Sequence, residues 1–324
     1  MKTLPRLRFA HLPTPIEPLP RLTEKLGGPN LMVKRDDQTG LAMGGNKTRK
    51  LEYLIAEAQA HGAQTLVTTG ADQSNHCRQT AAAAARFGFD CILVLSGEQP
   101  KSRTGNLLLD DFFGAEMVWT SRPERDQVLK QTFDSAWEAG RRPYLIPYGG
   151  SSATGAVGYA FAMQELLWQG CQADWIIIPS SSGGTQAGLV SGARLFGYQG
   201  MILGISIDEP EYELEERIAI LATATTDLLG EPSAFSPQEI LVNANYLGGG
   251  YGVVGEIERE AIHLFARCEG LLLDPVYTGR AAAGMIDLIR RGFFPSDQTV
   301  LFWHTGGLPA LFADRYDWLA NNVR

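Results

Sequence analysis

"WIIIPSSSGGTQAGL", residues 175–189, decides how this chain folds. It opens with a short apolar run of strand length, then passes through hydroxyls and glycines into a small-residue helical stretch. A buried strand that hands over to a helix through such a turn is a βα unit. In open α/β sheets ligands bind at that turn, because helix amino termini there present unpaired N–H groups to anions. Ser182, Gly183, Gly184 and Thr185 could therefore cradle a phosphate, and the same residues also suit a plain capped helix.

The pattern repeats on both sides. Apolar runs at 65–70, 91–97, 116–121 and 143–150 read as strands, with helices expected over 73–87, 105–113 and 123–139. A second series places strands at 175–184, 200–207, 270–279 and 299–307, and helices at 185–196, 211–229, 254–268 and 279–291. Strands separated by helix-length segments pair in parallel through right-handed crossovers, so the expected class is α/β, with two lobes and a cleft between them. The lobe boundary is expected near 149–154, in the stretch "YGGSSATGA". The segment before Lys50 has weak periodicity and fits either lobe.

Composition narrows the function. The chain of 324 residues carries a net charge of −8, which argues against a nucleic-acid partner, since phosphate neutralisation needs a basic surface. Cys77, Cys91, Cys171 and Cys268 are scattered without a C-x-x-C pair and read as reduced, packed thiols. The first residues, "MKTLPRLRFAHLPTP", lack the apolar core of a secretory signal. No apolar stretch approaches the ~20 residues that cross a bilayer, so no membrane partner and a cytoplasmic location are expected. His304 has no spaced ligand partners, and no metal is expected.

"TTGADQSNHCRQTAA", residues 68–82, repeats the strand-turn-helix pattern; Ser74 and Asn75 fall where they can cap the helix or donate to a ligand carboxylate. His76 reads as a helix-face residue. "TGLAMGGNKTRKLEYL", residues 39–54, nearly spells a phosphate-binding P-loop, with Gly40, Gly45, Lys47 and Thr48. Asn46 breaks its register and no strong strand precedes Gly40, so that reading fails. Lys47 and Lys50 instead stand three apart on one face of a helix start, where two cations oppose the helix dipole. They are either a solvated pair, or an imine-forming lysine with a phosphate-binding neighbour. Tyr277, near the end of "LLLDPVYTG", suits an acid/base role or a packed tyrosine equally.

At these residues the sequence resembles the pyridoxal-phosphate enzymes of the D-cysteine desulfhydrase and 1-aminocyclopropane-1-carboxylate deaminase family. The likeness runs through "LPTPIEPLPRL", "VKRDDQTGLAMGGNKTRKLEYL", "GADQSNHCRQTAAAAA", "SSGGTQAGL", "GGGYG", "LLLDPVYTGRAAAGMIDLI" and "HTGGLPALF", seven blocks in order. It implies the two-lobed fold of the tryptophan-synthase β subunit (fold type II), with mostly parallel twisted sheets and helices on both faces. The implied division is a large lobe of residues 1–48 and 151–324 and a small lobe of 49–150. The implied cofactor is pyridoxal 5'-phosphate, joined as an imine to Lys47, with its phosphate met by Lys50 and the Ser182, Gly183, Gly184 and Thr185 turn. Asn75 would bond the ring's phenolic oxygen and Thr305 would lie near the ring nitrogen. Gln73 and Ser74 would hold the substrate carboxylate, and Tyr251 and Tyr277 would line the substrate side. Relatives are commonly homodimers.

Two positions discriminate within the family. The cyclopropane-opening deaminases carry glutamate where Thr278 stands and leucine where Thr305 stands. A carboxylate at the ring nitrogen makes a strong electron sink, whereas a neutral threonine leaves a weaker one, sufficient when a good leaving group departs from the β-carbon. The expected activity is therefore β-elimination from D-cysteine, giving pyruvate, ammonia and hydrogen sulfide, with Lys47, Ser74 and Tyr277 as catalytic residues. The alternatives are an L-cysteate sulfo-lyase, a cyclopropane deaminase and, from a different class, a non-catalytic metabolite-binding protein.

Overall fold

Two sheets organise the chain, and the computed structural model describes residues 1–320 of it. The strands are β1 (Ile16–Pro18), β2 (Asn30–Lys34), β3 (Thr65–Ala71), β4 (Asp90–Ser96), β5 (Glu116–Thr120), β6 (Pro143–Leu145), β7 (Trp175–Ser180), β8 (Met201–Ser206), β9 (Leu241–Asn243) and β10 (Thr299–Trp303). The α-helices are α1 (Pro20–Leu26), α2 (Lys47–Ala60), α3 (Asn75–Phe87), α4 (Asn106–Phe112), α5 (Arg125–Glu138), α6 (Ala153–Trp168), α7 (Gly184–Phe196), α8 (Glu211–Leu228), α9 (Glu256–Glu269) and α10 (Thr278–Arg290). The smaller sheet runs β5-β4-β3-β6, all parallel. The larger runs β1-β2-β10-β7-β8-β9 and is parallel except for β1 against β2.

Period-2 alternation sends neighbouring side chains to opposite faces of a strand. In the large sheet, Val33, Ile177, Ile205 and Phe302 pack with Phe265 of α9 and Ala282 of α10. Their neighbours Ile176, Ile178, Leu301 and Trp303 pack on the other face with Tyr159, Met163 and Leu189 of α6 and α7. The small sheet does the same: Leu66, Leu93 and Leu95 meet α2 and α3, while Val67 and Ile92 meet Ala136 of α5. Burial on both faces explains why these strands read as continuous apolar runs.

One expected strand is absent. Residues 270–277 pair with no strand, and the apolar run "GLLL" instead packs as an irregular segment. Asp274 is the reason: its carboxylate accepts the backbone N–H groups of Val276, Tyr277 and Thr278 at 3.1, 3.0 and 2.7 Å, which caps the start of α10. Both sides of β10 are already occupied by β2 and β7. Elements not anticipated are β1, β2, α1, β9 and α6.

A buried polar cluster fixes α2 to the large sheet. Asp36 has no solvent exposure and accepts from Arg49 (2.8 and 2.9 Å), Tyr159 (2.5 Å), Trp303 (2.8 Å) and Thr14 (2.8 Å). Burial alone would raise its pKa, but Arg49 and Lys34 hold it down to about 2. Glu165 of α6 closes the cluster, accepting from Lys34 and Arg49 at 2.6 and 2.9 Å.

Candidate active site

The cavity at the carboxyl ends of the strands collects residues from both halves of the molecule. Lys47, Ser74, Asn75, Ser182, Gly183, Thr185, Tyr277 and Thr305, all expected from sequence, line one cavity. Asn46, His76 and Tyr148 line it too. Asn46 stands at the N-cap position of α2, and its amide donates to Thr185 Oγ1 at 3.0 Å. The residue that spoils the P-loop register thus ties the Lys47 helix to the α7 turn.

Two helix amino termini face this space. At α7, Gly183 sits in the left-handed region (φ 81°) and no side chain occupies the capping role. Ser151 Oγ accepts from Gly184 N at 3.1 Å and lies 2.8 Å from Ser182 Oγ. A Cβ at Gly184 would meet Ser151 at 2.5 Å, so only glycine admits this close approach. At α3, Ser74 does cap: its hydroxyl oxygen accepts from Cys77 N at 3.2 Å. The N–H groups of Asn75 and His76 meet no acceptor among the described residues.

Lys50 is fully buried behind the cavity, donating to Gly149 O at 3.1 Å and Ser151 Oγ at 3.3 Å. Among the described residues no carboxylate pairs with it. Burial, and then the charge of Lys47, push its pKa well down. Burial also lowers Lys47, to about 8, against the pull of Asp274. A lysine near neutrality is a competent nucleophile and base. Two buried amines beside a helix terminus whose N-cap residue, Gly183, has no side chain make a donor-rich corner that a phosphate dianion would satisfy.

The remaining residues stand outside the inner cavity. The cleft widens past Tyr148 into a mouth lined by Gln73, Arg122, Arg125, Asp208, Tyr251 and Tyr316, among others. Tyr251 reaches inward, its hydroxyl 2.7 Å from that of Tyr277. Gln73 does not reach the inner cavity: its side chain accepts from Asn106 N at 2.8 Å and donates to Thr104 O at 3.0 Å. Its amide is thereby spent, leaving Ser74 and the α3 terminus to meet an anion. Thr278 is buried and gives its hydroxyl to Asp274 at 2.8 Å, so Thr305 is the threonine that reaches the cavity. Asp274 itself was not anticipated, although Asp-Pro ahead of a helical pattern is a recognisable start signal.

Comparison with known proteins bears on the chain as a whole. The family model described as "Pyridoxal-phosphate dependent enzyme" matches residues 7–306. D-cysteine desulfhydrase of Salmonella typhimurium is 42% identical over 321 residues, covering 95% of this chain and 96% of that protein. The Salmonella choleraesuis protein of the same name is 42% identical over 320 residues, with the same coverage. A solved structure described as an ACC deaminase homologue superposes with a TM-score of 0.89 at 35% identity, covering 98% of this chain and 96% of that one. An L-serine ammonia-lyase from Rhizomucor miehei shares the fold, with a TM-score of 0.69 at 17% identity, covering 98% of this chain and 100% of that one.

Proposed function

This chain belongs to the pyridoxal-phosphate dependent enzymes, and from that premise we propose that it is a β-eliminating lyase that cleaves D-cysteine to pyruvate, ammonia and hydrogen sulfide. The observation that carries the reading is the single cavity in which Lys47, Asn75, Tyr277 and Thr305 meet the Ser182, Gly183 and Thr185 turn. When bound, pyridoxal phosphate supplies an electron sink for negative charge at the substrate's α-carbon. Lys47 would carry the cofactor, Lys50 and the α7 terminus would hold its phosphate, Asn75 would face its ring oxygen and Thr305 its ring nitrogen.

The chain's own residues do the rest. Ser74 and the N–H groups at the start of α3 orient the substrate carboxylate. Lys47, with its amine free, would take the α-proton at its Nζ, for which a pKa of about 8 is suited. Tyr277, held by Tyr251, keeps its proton and can give it to the departing sulfur. Neutral threonines at 278 and 305, where the cyclopropane deaminases carry glutamate and leucine, would leave no acid at the ring nitrogen, which favours this elimination over opening of a cyclopropane ring.

The division into lobes of 1–48 with 151–324 and of 49–150, a homodimeric assembly and a cytoplasmic location belong to the same proposal; no helix is long and apolar enough to cross a membrane among the described residues. The test is a pyruvate assay of wild type and Lys47→Ala across D-cysteine, L-cysteine, D-serine, L-cysteate and 1-aminocyclopropane-1-carboxylate. D-cysteine should be turned over fastest with sulfide released, and Lys47→Ala should lose both turnover and the near-visible absorbance of the loaded protein. Sulfite from cysteate, or α-ketobutyrate from the cyclopropane, as the dominant activity would replace the reading.

A further inference from the structure

We infer that Arg78 and Asn106 fix which end of the Asn75 amide faces the cavity, and so act as positioning residues for the cofactor's ring oxygen. The inference rests on the proposed placement of Asn75 and goes beyond it. An asparagine amide has an acceptor end and a donor end of nearly equal shape, so its neighbours decide its orientation. A guanidinium offers donors only, and polarity can be traced outward from it.

Arg78 has no solvent exposure and is anchored by Nη2 donating to Gly44 O at 2.9 Å. Its Nη1 donates to Asn106 Oδ1 at 3.0 Å and lies 3.5 Å from Asn75 Oδ1. Asn106 must therefore present its oxygen to Arg78, which leaves its Nδ2 to donate elsewhere. That group donates to Asn75 Oδ1 at 3.0 Å and to Gln73 O at 2.9 Å. Asn106 is itself fully buried, and its backbone N–H holds the Gln73 side chain at 2.8 Å. With its oxygen facing two donors, Asn75, which lines the cavity, turns its Nδ2 the other way, to the side of Gly307. A Cβ at Gly307 would stand 2.7 Å from that nitrogen. Reversing the amide would set N–H against N–H on both sides.

A donor aimed at the ring oxygen stabilises its deprotonated form, so the proton shared near the lysine linkage is released at lower pH. Asn106→Ala removes the donor that orients Asn75. Asn106→Asp keeps an acceptor for Arg78 in the same volume and guards against loss of the fold. In each variant, loaded with pyridoxal phosphate, the midpoint of the pH-dependent absorbance should rise by about one unit, a tenfold change in proton affinity. Affinity of the cofactor-free protein for pyridoxal phosphate, read by fluorescence quenching, should fall about tenfold. In an Asn75→Ala background the same substitutions should leave the midpoint unmoved, because the amide they orient is gone. A lowered melting temperature with an unchanged midpoint would make Asn106 merely structural and overturn the inference. If wild type turns over D-cysteine while the midpoint stays put, the inference alone falls. If wild type binds no pyridoxal phosphate, the proposed function and the inference fall together.

Discussion

The hydroxyls of Tyr251 and Tyr277 meet at 2.7 Å, with their rings edge-on at 5.9 Å. Burial pushes both pKa values well up, so both stay protonated through the neutral range. Two protons serve one mutual hydrogen bond, and the second is available to a ligand. Tyr277 lines the inner cavity while Tyr251 stands at the mouth. Tyr277→Phe should therefore lower kcat for pyruvate release by about 10²-fold, within the range of a lost proton-transfer group. Tyr251→Phe should cost less and act mainly on KM. Steady-state kinetics on D-cysteine decide the order, and a larger kcat loss at Tyr251 would reverse the roles.

The Asp36 cluster makes a stability prediction. Removing one partner of a buried, hydrogen-bonded ion pair strands the other, at a cost of about 3–5 kcal/mol. Asp36→Ala should destabilise by that amount in urea unfolding, because Tyr159 and Trp303 lose their acceptor and Arg49, its Nε stranded, keeps only Glu165 as a carboxylate partner. The Asp36 pKa is depressed in the fold, so its stabilisation is present above the usual carboxylate range and lost as pH falls from about 4 toward about 2. Wild type should lose stability over that window more steeply than Asp36→Asn.

The buried lysines predict a slope of the same sign in the alkaline range. Lys47 has a folded pKa of about 8 against 10.5 for an exposed lysine, so the unfolded chain binds more protons between those values. Stability of the cofactor-free protein should then rise with pH through that interval, and Lys50 acts with the same sign. Lys50→Met should raise the melting temperature of the cofactor-free protein yet weaken pyridoxal phosphate binding by about 10²-fold. Thermal melts with and without the cofactor check both halves.

Gly188 predicts a packing effect. A Cβ there would lie 2.2 Å from Ala156 O and 2.5 Å from Tyr159 Cβ, atoms of α6 that have no room to retreat. Gly188→Ala should cost about 1–3 kcal/mol by overpacking. It should also weaken cofactor binding, since α7 carries the Gly184 turn. Calorimetry and a cofactor titration on the same variant test the coupling.

Much of this was legible in the sequence where chemistry is local. The turn after β7, the Ser74 cap and the Lys47 helix start are each written in adjacent residues. What escaped depends on distant neighbours. No helix was expected between 151 and 168, yet α6 forms there, because Gly155 and Gly158 are contact surface rather than linker: their added Cβ atoms would meet Gly150 O at 2.1 Å and Arg49 O at 2.4 Å. The run at 270–273 has strand composition but no strand beside it to pair with. The resemblance puts Gln73 at the substrate carboxylate, and the fold adds that Asn106 holds its amide at the mouth of the cleft.

In the large sheet, β10 lies between β2 and β7, so one of the earliest strands and the last are hydrogen-bonded side by side. On the ribosome, the sheet drawn from 65–145 has all its strands early, whereas the larger one stays open at its middle until residue 303 has emerged. Nascent or prematurely terminated chains would thus own half of the cleft and no floor to it, which makes completion of synthesis the gate to the first capture of cofactor.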